Sequence, residues 1–398
     1  MALAVFDIFS GCGGLSLGLK QGGLNVQWAN ENDPNAAATH KNFHTDTSLF
    51  EEDALQLLTR IRSRELDTPR RGDVDLLAGG PPCQGFSGYN RYRNPNDPRN
   101  SLMEVFLEFV EELNPRYVLI ENVPGMLSLN NGQTAKLVLS TLEDLGFNTR
   151  LGVLQAGYYG LPQNRWRVFI WAAQTGERLP LLPTPTHSFV KNTVFGATHF
   201  RECVVRPAAE IGDLFSNLQP MITVGDAISD LPRLDNGEGV DIQDYEIEPQ
   251  SQYQSELRRN AAVLTDHVCF GLGALQLARC KAIPQKPGSG WLDLPDELKP
   301  RNLVRHGDNR YPNRFGRLHF KGTFNTIVHK PEPYWSAVFH PSQDRLISVR
   351  EAARAQGFPD VVRFSGSPRA RYRQVGNAVP PPLAKALATE LVRTVNEK

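Results

Sequence analysis

Cys83 stands in Gly79-Gly80-Pro81-Pro82-Cys83-Gln84-Gly85-Phe86-Ser87-Gly88, a setting that suits a presented nucleophile. The two prolines fix φ and remove two backbone donors, while the glycines on either side allow close backbone approach. The loop is therefore stiff at the thiol and uncrowded around it. Lone cysteines are more often buried structural thiols, but Pro-Pro among glycines is a poor way to pack a core. Two further groups could act on the same substrate. Glu121 follows the apolar run Tyr117-Val118-Leu119-Ile120, which puts a carboxylate at a strand's carboxyl end beside the strand that bears Cys83, a placement suited to acid/base work. Arg165 and Arg167, in Gln163-Asn164-Arg165-Trp166-Arg167, share one face at period two, and that face could hold an anion or a carbonyl oxygen. Taken singly, each of these charges reads as a solvated surface group.

The elements that must position them follow an α/β rhythm. Leu3 to Phe9 reads as a strand, and Ser10-Gly11-Cys12-Gly13-Gly14 turns it into a helix striped by Leu15, Leu17 and Leu19. This is the opening of a nucleotide-binding α/β domain. A dinucleotide fingerprint would want a third glycine where Ser16 stands, which argues against nicotinamide or flavin. Val26 to Asn30 is a second strand ending at Glu31, about 20 residues past the turn, where an acid can accept from ribose hydroxyls. Asp53 follows a further short segment and could meet an adenine amino group. Val74, Leu76 and Leu77 mark a short buried strand before Cys83, placing the thiol where open α/β sheets bind ligands. Helices are expected over Ser101 to Leu113, Thr134 to Leu145 and Leu383 to Val392. The fold class is α/β, a doubly wound and mostly parallel sheet.

Lysine plus arginine equals aspartate plus glutamate at 43 each in 398 residues, so a nucleic-acid surface must come from local clustering. Two clusters qualify. Tyr89-Asn90-Arg91-Tyr92-Arg93 interleaves aromatic and basic groups, suited to stacking on bases and pairing phosphates. Arg301, Arg305, Arg310, Arg314, Arg317 and Lys321 stand against one intervening acid, Asp308. Val349 to Gln356 is expected to be a helix with a charged outer face. Five cysteines without a C-x-x-C pair give neither a disulfide framework nor a closed zinc site, and no metal is expected. Asp7 interrupts any signal-peptide core and no apolar run approaches a membrane span, so a soluble intracellular protein is expected. The Pro-rich stretch from Leu179 to Thr186 marks a boundary, which divides the chain into residues 1–186, 187–345 and 346–398.

The order Phe6-Asp7-Ile8-Phe9-Ser10-Gly11-Cys12-Gly13-Gly14, Pro81-Pro82-Cys83-Gln84-Gly85-Phe86-Ser87, Glu121-Asn122-Val123, Gln163-x-Arg165-x-Arg167 and Gln374-x-Gly376-Asn377-Ala378-Val379-Pro380 resembles the DNA cytosine-5 methyltransferases over nearly the whole chain. The likeness is strongest to the catalytic domain of the eukaryotic maintenance type. It implies a catalytic S-adenosylmethionine domain over 1–186, a target-recognition domain over 187–345 and a carboxyl-terminal segment, 346–398, returning to the first. It implies Cys83 as covalent nucleophile, Glu121 on N3 and the exocyclic amine of cytosine, Arg167 on O2, and Arg165 in support. Phe9, Gly11, Cys12, Gly14, Glu31, Asp53, Pro82, Leu102, Asn377 and Val379 would surround the cofactor, which leaves as S-adenosylhomocysteine. Duplex DNA is the implied partner of a monomer, in CG context, with Gln84, Ser87, Tyr89, Arg91, Arg93, Arg314 and Arg317 as contacts. The same likeness implies a nuclear location. Two departures are visible: Tyr89 stands where the maintenance enzymes usually have methionine, and Asn32 where a bulky residue often flanks adenine. An inactive scaffold of the same fold and a cysteine hydrolase remain the competing classes, although no histidine here sits in a recognisable hydrolase motif.

Overall fold

The computed structural model describes residues 2–81, 101–190, 200–207, 217–306 and 311–397. Two compact units share the chain: one holds Met1–Tyr159, Trp166–Pro220 and Val379–Lys398, the other Gly160–Arg165 and Met221–Ala378.

The first unit is built on a seven-stranded sheet in the order β3-β2-β1-β4-β5-β7-β6. Its strands are β1 (Ala4–Ile8), β2 (Asn25–Asn30), β3 (Ser48–Phe50), β4 (Leu76–Gly79), β5 (Tyr117–Asn122), β6 (Phe147–Gln155) and β7 (Trp166–Gln174). β1 to β5 pair in parallel, and β7 runs antiparallel between β5 and β6. β4 and β5 are buried along their whole length, as the continuous apolar runs of central strands require. Helices α1 (Gly14–Gln21), α2 (Pro34–Phe43), α3 (Ala54–Arg62), α4 (Ser101–Leu113) and α5 (Gln133–Asp144) connect them. The doubly wound, mostly parallel α/β class read from the sequence is the one observed. From β1 the chain winds outward to β2 and β3, then crosses to β4 and β5 on the other side. The reversal lies between β1 and β4, the place where such sheets bind ligands.

The second unit carries short helices α6 (Val224–Ile228), α7 (Gln252–Arg258), α8 (Ala274–Ala282) and α9 (Arg301–His306), with strands β8 (Gly239–Gln243) and β9 (Leu264–Val268) paired antiparallel. It also holds α10 (Val349–Ala355) and α11 (Pro368–Asn377), whereas α12 (Pro381–Asn396) belongs to the first unit. There α12 lies directly on α1. A Cβ at Gly18 would come within 2.3 Å of Pro381 O and 2.4 Å of Ala384 Cβ, and one at Gly22 within 2.3 Å of Ala388 Cβ. Two glycines one helical turn apart thus let the carboxyl-terminal helix close against the helix of the glycine turn.

The charged outer face expected for the helix over Val349 to Gln356 is not found. Every residue of α10 is buried, and Arg350, Glu351 and Arg354 are 0% exposed. Arg345 donates to both carboxylate oxygens of Glu351, Arg350 to Asp266, and Arg354 to Asp230 and Asp360. Backbone carbonyls of Thr265, Val362, Ala227 and Leu346 take further guanidinium donors. Paired and hydrogen-bonded in this way, the charges are tolerated inside.

Candidate active site

Cys83 and its neighbours Pro82, Gln84, Ser87, Tyr89, Arg91 and Arg93 lie outside the described residues. The strand that leads to them is described. β4 ends at Gly79, whose Cβ would strike Ile8 O at 2.4 Å and the Phe106 ring at 2.8 Å, so only glycine fits the packing of β4 on β1 and α4. One residue on, a Cβ at Gly80 would sit 3.0 Å from Glu121 Oε2. Gly80 therefore leaves the sheet against the Glu121 carboxylate. Asn122 Nδ2 donates to Pro81 O at 3.3 Å, a hold on this segment from β5 that the sequence did not single out.

Glu121 pairs opposite Phe169 in the β5–β7 ladder, and Arg167 is the next residue on the same face of β7. That diagonal is within reach of a long side chain. Arg167 Nε meets Glu121 Oε1 at 2.9 Å, with both residues 8% exposed. Arg167 Nη1 also donates to Trp166 O at 2.7 Å. Burial holds the Arg167 guanidinium below its ordinary value, and the Glu121 carboxylate opposes that shift.

Arg165 does not join this pair in the first unit. It belongs to the second, where it is 1% exposed and donates to the carbonyls of Ile327, Gly376 and Ala378 at 2.8, 3.0 and 3.0 Å. Its guanidinium clamps backbone. Gln163 beside it donates to Ala355 O and Gln356 and accepts from the Ile327 N–H, so this stretch braces the fold of the second unit.

The glycine turn sits at the carboxyl end of β1. Phe9, Gly11 and Gly13 have φ of 60°, 58° and 86°, left-handed conformations that suit glycine and strain Phe9. Glu31 reaches across from the end of β2. Its Oε2 accepts the Gly11 N–H at 2.9 Å and its Oε1 the Asp33 N–H at 2.7 Å. Burial pushes this carboxyl up, against the pull of those two N–H groups. A carboxylate has about four acceptor positions, so after both bonds Glu31 retains capacity for ligand hydroxyls. Asp53 caps α3 by accepting the Leu55 N–H at 2.9 Å. Burial drives the Cys12 thiol up to about 12, with the N–H groups of Cys12 and Gly14 opposing, so Cys12 is no thiolate nucleophile. Gly14 begins α1, and Leu102, in the first turn of α4, is partly buried. Val379 is buried in the first unit, and Asn377 is exposed at the end of α11 in the second.

Two of the expected DNA contacts lie in the second unit. Arg314 and Arg317 are 5% and 3% exposed. Arg317 donates to the carbonyls of Cys280, His340 and Gln343 and to Asp344, while Arg314 lies over the rings of Tyr311, Tyr334 and Trp335. Arg301, Arg305 and Lys321 of the same stripe are exposed.

A family model described as C-5 cytosine-specific DNA methylase matches residues 3–393. The chain is 38% identical to DNA (cytosine-5)-methyltransferase 2 of Arabidopsis thaliana and 37% identical to DNA (cytosine-5)-methyltransferase 1 of Mus musculus. In each case the match covers 98% of this chain and 28% of the relative, so the chain spans little more than a quarter of their length. Among solved structures, a prophage-encoded protein of E. coli superposes with a TM-score of 0.68 at 24% identity, covering 99% of this chain and 100% of that one. The Dnmt2 methyltransferase of S. pombe gives 0.56 at 15% identity with both chains fully covered, 100% each. At these identities the structural likeness concerns the fold.

Proposed function

The chain belongs to the C-5 cytosine-specific DNA methylase family, and from that premise we propose that it transfers a methyl group from S-adenosylmethionine to C5 of a cytosine flipped out of duplex DNA, in CG context. The observation that carries this reading is the buried Glu121–Arg167 pair set against Gly80, where the Cys83 segment leaves β4. Cytosine C5 is a poor nucleophile. In this reading the Cys83 thiolate adds to C6 with its electron pair and the ring becomes enamine-like at C5. Glu121 holds N3 and the exocyclic amine, while Arg167 faces O2, where negative charge develops. Once C5 carries the methyl group, loss of its proton to a base lets Cys83 depart by β-elimination, which restores the thiolate. Stacking hides both faces of the ring in a duplex, so the base is flipped at a cost of ~ a few kcal/mol.

The donor set at the glycine turn fits the cofactor. The turn presents N–H groups at the first turn of α1, and Glu31 and Asp53 stand at the ends of neighbouring β segments as acceptors for ribose hydroxyls and an adenine amine. S-adenosylmethionine supplies an electrophilic methyl group when bound. Phe9, Gly11, Cys12, Gly14, Glu31, Asp53, Leu102 and Val379 are the described first-unit residues assigned to hold it. In the same proposal the second unit carries target recognition, the likeness to eukaryotic enzymes suggests a nuclear location, and the chain acts as a monomer on DNA.

The test is trapping on a duplex carrying 5-fluorocytosine at CG, hemimethylated or unmethylated, with S-adenosylmethionine present. Fluorine cannot leave as a proton does, so a covalent adduct is expected with the wild type and none with Cys83→Ser. Folded protein that binds the cofactor yet gives no adduct on any CG duplex would turn the reading toward a scaffold of the same fold.

A further inference from the structure

Behind the glycine turn runs a buried polar chain that the chemistry above does not use. Asp7 of β1 is fully buried and accepts from Ser16 Oγ at 2.6 Å. Ser16 Oγ lies 3.2 Å from His40 Nε2, the His40 ring packs on His44 at 4.6 Å between centroids, and His44 Nε2 lies 3.0 Å from Gly13 O. The donors can be assigned by elimination. A carbonyl oxygen only accepts, so His44 carries its proton on Nε2. Ser16 gives its single proton to Asp7, so it accepts from His40 Nε2–H. This leaves His40 Nδ1 bare, and that atom indeed makes no hydrogen bond among the described residues. Burial lowers both imidazoles, His40 to about 3 with His44 and then Lys20 adding to the shift, and His44 to about 4 with Lys20 adding and the Gly13 carbonyl opposing.

What His44 does to the turn follows from carbonyl chemistry. Gly13 O already accepts the Leu17 N–H at 2.9 Å, the first bond of α1. His44 adds a second donor, so both lone pairs are engaged and the plane of the Gly13–Gly14 peptide is fixed. At the other edge of that plane is the Gly14 N–H, one of the first-turn donors with no carbonyl partner inside the helix. A Cβ at Gly13 would lie 2.5 Å from His44 Nε2 and 2.9 Å from His40 Cδ2, so the two rings fill the space a side chain would take.

We propose that His44 is a positioning residue for the cofactor, holding the Gly13 carbonyl and through it the aim of the turn's N–H groups, with His40, Ser16 and Asp7 anchoring its ring. The proposal rests on the turn being the cofactor site. It is tested by calorimetric titration of the full chain with S-adenosylhomocysteine, which needs no turnover. His44→Leu removes the donor at similar volume and is expected to weaken binding about tenfold, the order of one hydrogen bond in a dry site. His44→Gln, whose amide can reach the same carbonyl, should stay within about threefold of wild type, and Ser16→Ala should weaken binding about threefold. Folded His44→Leu binding within about twofold of wild type overturns the proposal, as does folded His44→Gln binding as weakly as the leucine variant. Where His44→Leu does not fold, Ser16→Ala decides by the same criterion. A wild type that does not bind S-adenosylhomocysteine overturns the cofactor reading itself.

Discussion

Glu121 and Arg167 meet at 2.9 Å across the antiparallel pair β5 and β7, each 8% exposed. In that setting the carboxylate is both a candidate substrate ligand and the counter-charge that makes a buried guanidinium acceptable. Glu121→Gln is therefore expected to fail twice. Turnover should fall by ~10²-fold or more through lost transition-state contacts, and stability should drop by ~3 kcal/mol because Arg167 loses its partner. Methyl-transfer assays and urea denaturation read the two effects separately. A variant with normal unfolding and turnover within about threefold of wild type would mean that the pair serves neither purpose.

Asp7 gives a pH dependence of stability with an unusual sign. Burial raises its carboxyl to about 7, with Ser16 hydrogen bonds pulling down and Glu31 adding to the rise. Between the unfolded value near 3.8 and about 7 the folded chain holds a proton that the unfolded chain has released. This group's contribution thus falls as pH rises through that window and is level above it. Asp7→Asn keeps an acceptor for Ser16 and removes the titration. Relative to wild type it should gain ~2–4 kcal/mol between pH 4 and pH 7. Urea midpoints across pH check this, and a constant offset would show that Asp7 is ionised throughout.

The buried network on α10 makes the opposite prediction at acid pH. Burial pushes the Asp360 carboxyl up, but Arg354 and Arg350 beside it outweigh that and hold it below its ordinary value. Its stabilising contribution is complete above the unfolded value near 3.8 and is lost as pH falls through the folded one. Removing Arg354 leaves Asp230 and Asp360 buried without that partner, so Arg354→Met should cost ~3–5 kcal/mol at neutral pH. Circular dichroism melts would show it. A Tm within about two degrees of wild type would mean the network is replaceable by apolar packing.

Strands β1, β2, β4 and β5, the glycine turn, the helix over Ser101–Leu113 and the order of the motifs were legible in the sequence, because buried parallel strands and glycine turns are constraints set by neighbours along the chain. The positions of Glu31 and Glu121 at strand ends followed from the same local pattern. What charges do was not legible. Arg317, Arg350 and Arg354 have the spacing of solvated faces, yet the structure buries them on carbonyls and carboxylates as far as 127 residues away in the chain, Arg314 over aromatic rings and Glu351 against Arg345. Arg165 and Arg167 have the spacing of one strand face, but Arg165 clamps carbonyls more than 160 residues further on, while Arg167 pairs with Glu121. His40 and His44 carry no sequence signal at all. Whether a charge is solvated or buried depends on partners that are distant in sequence, and only the tertiary structure brings them within hydrogen-bond reach.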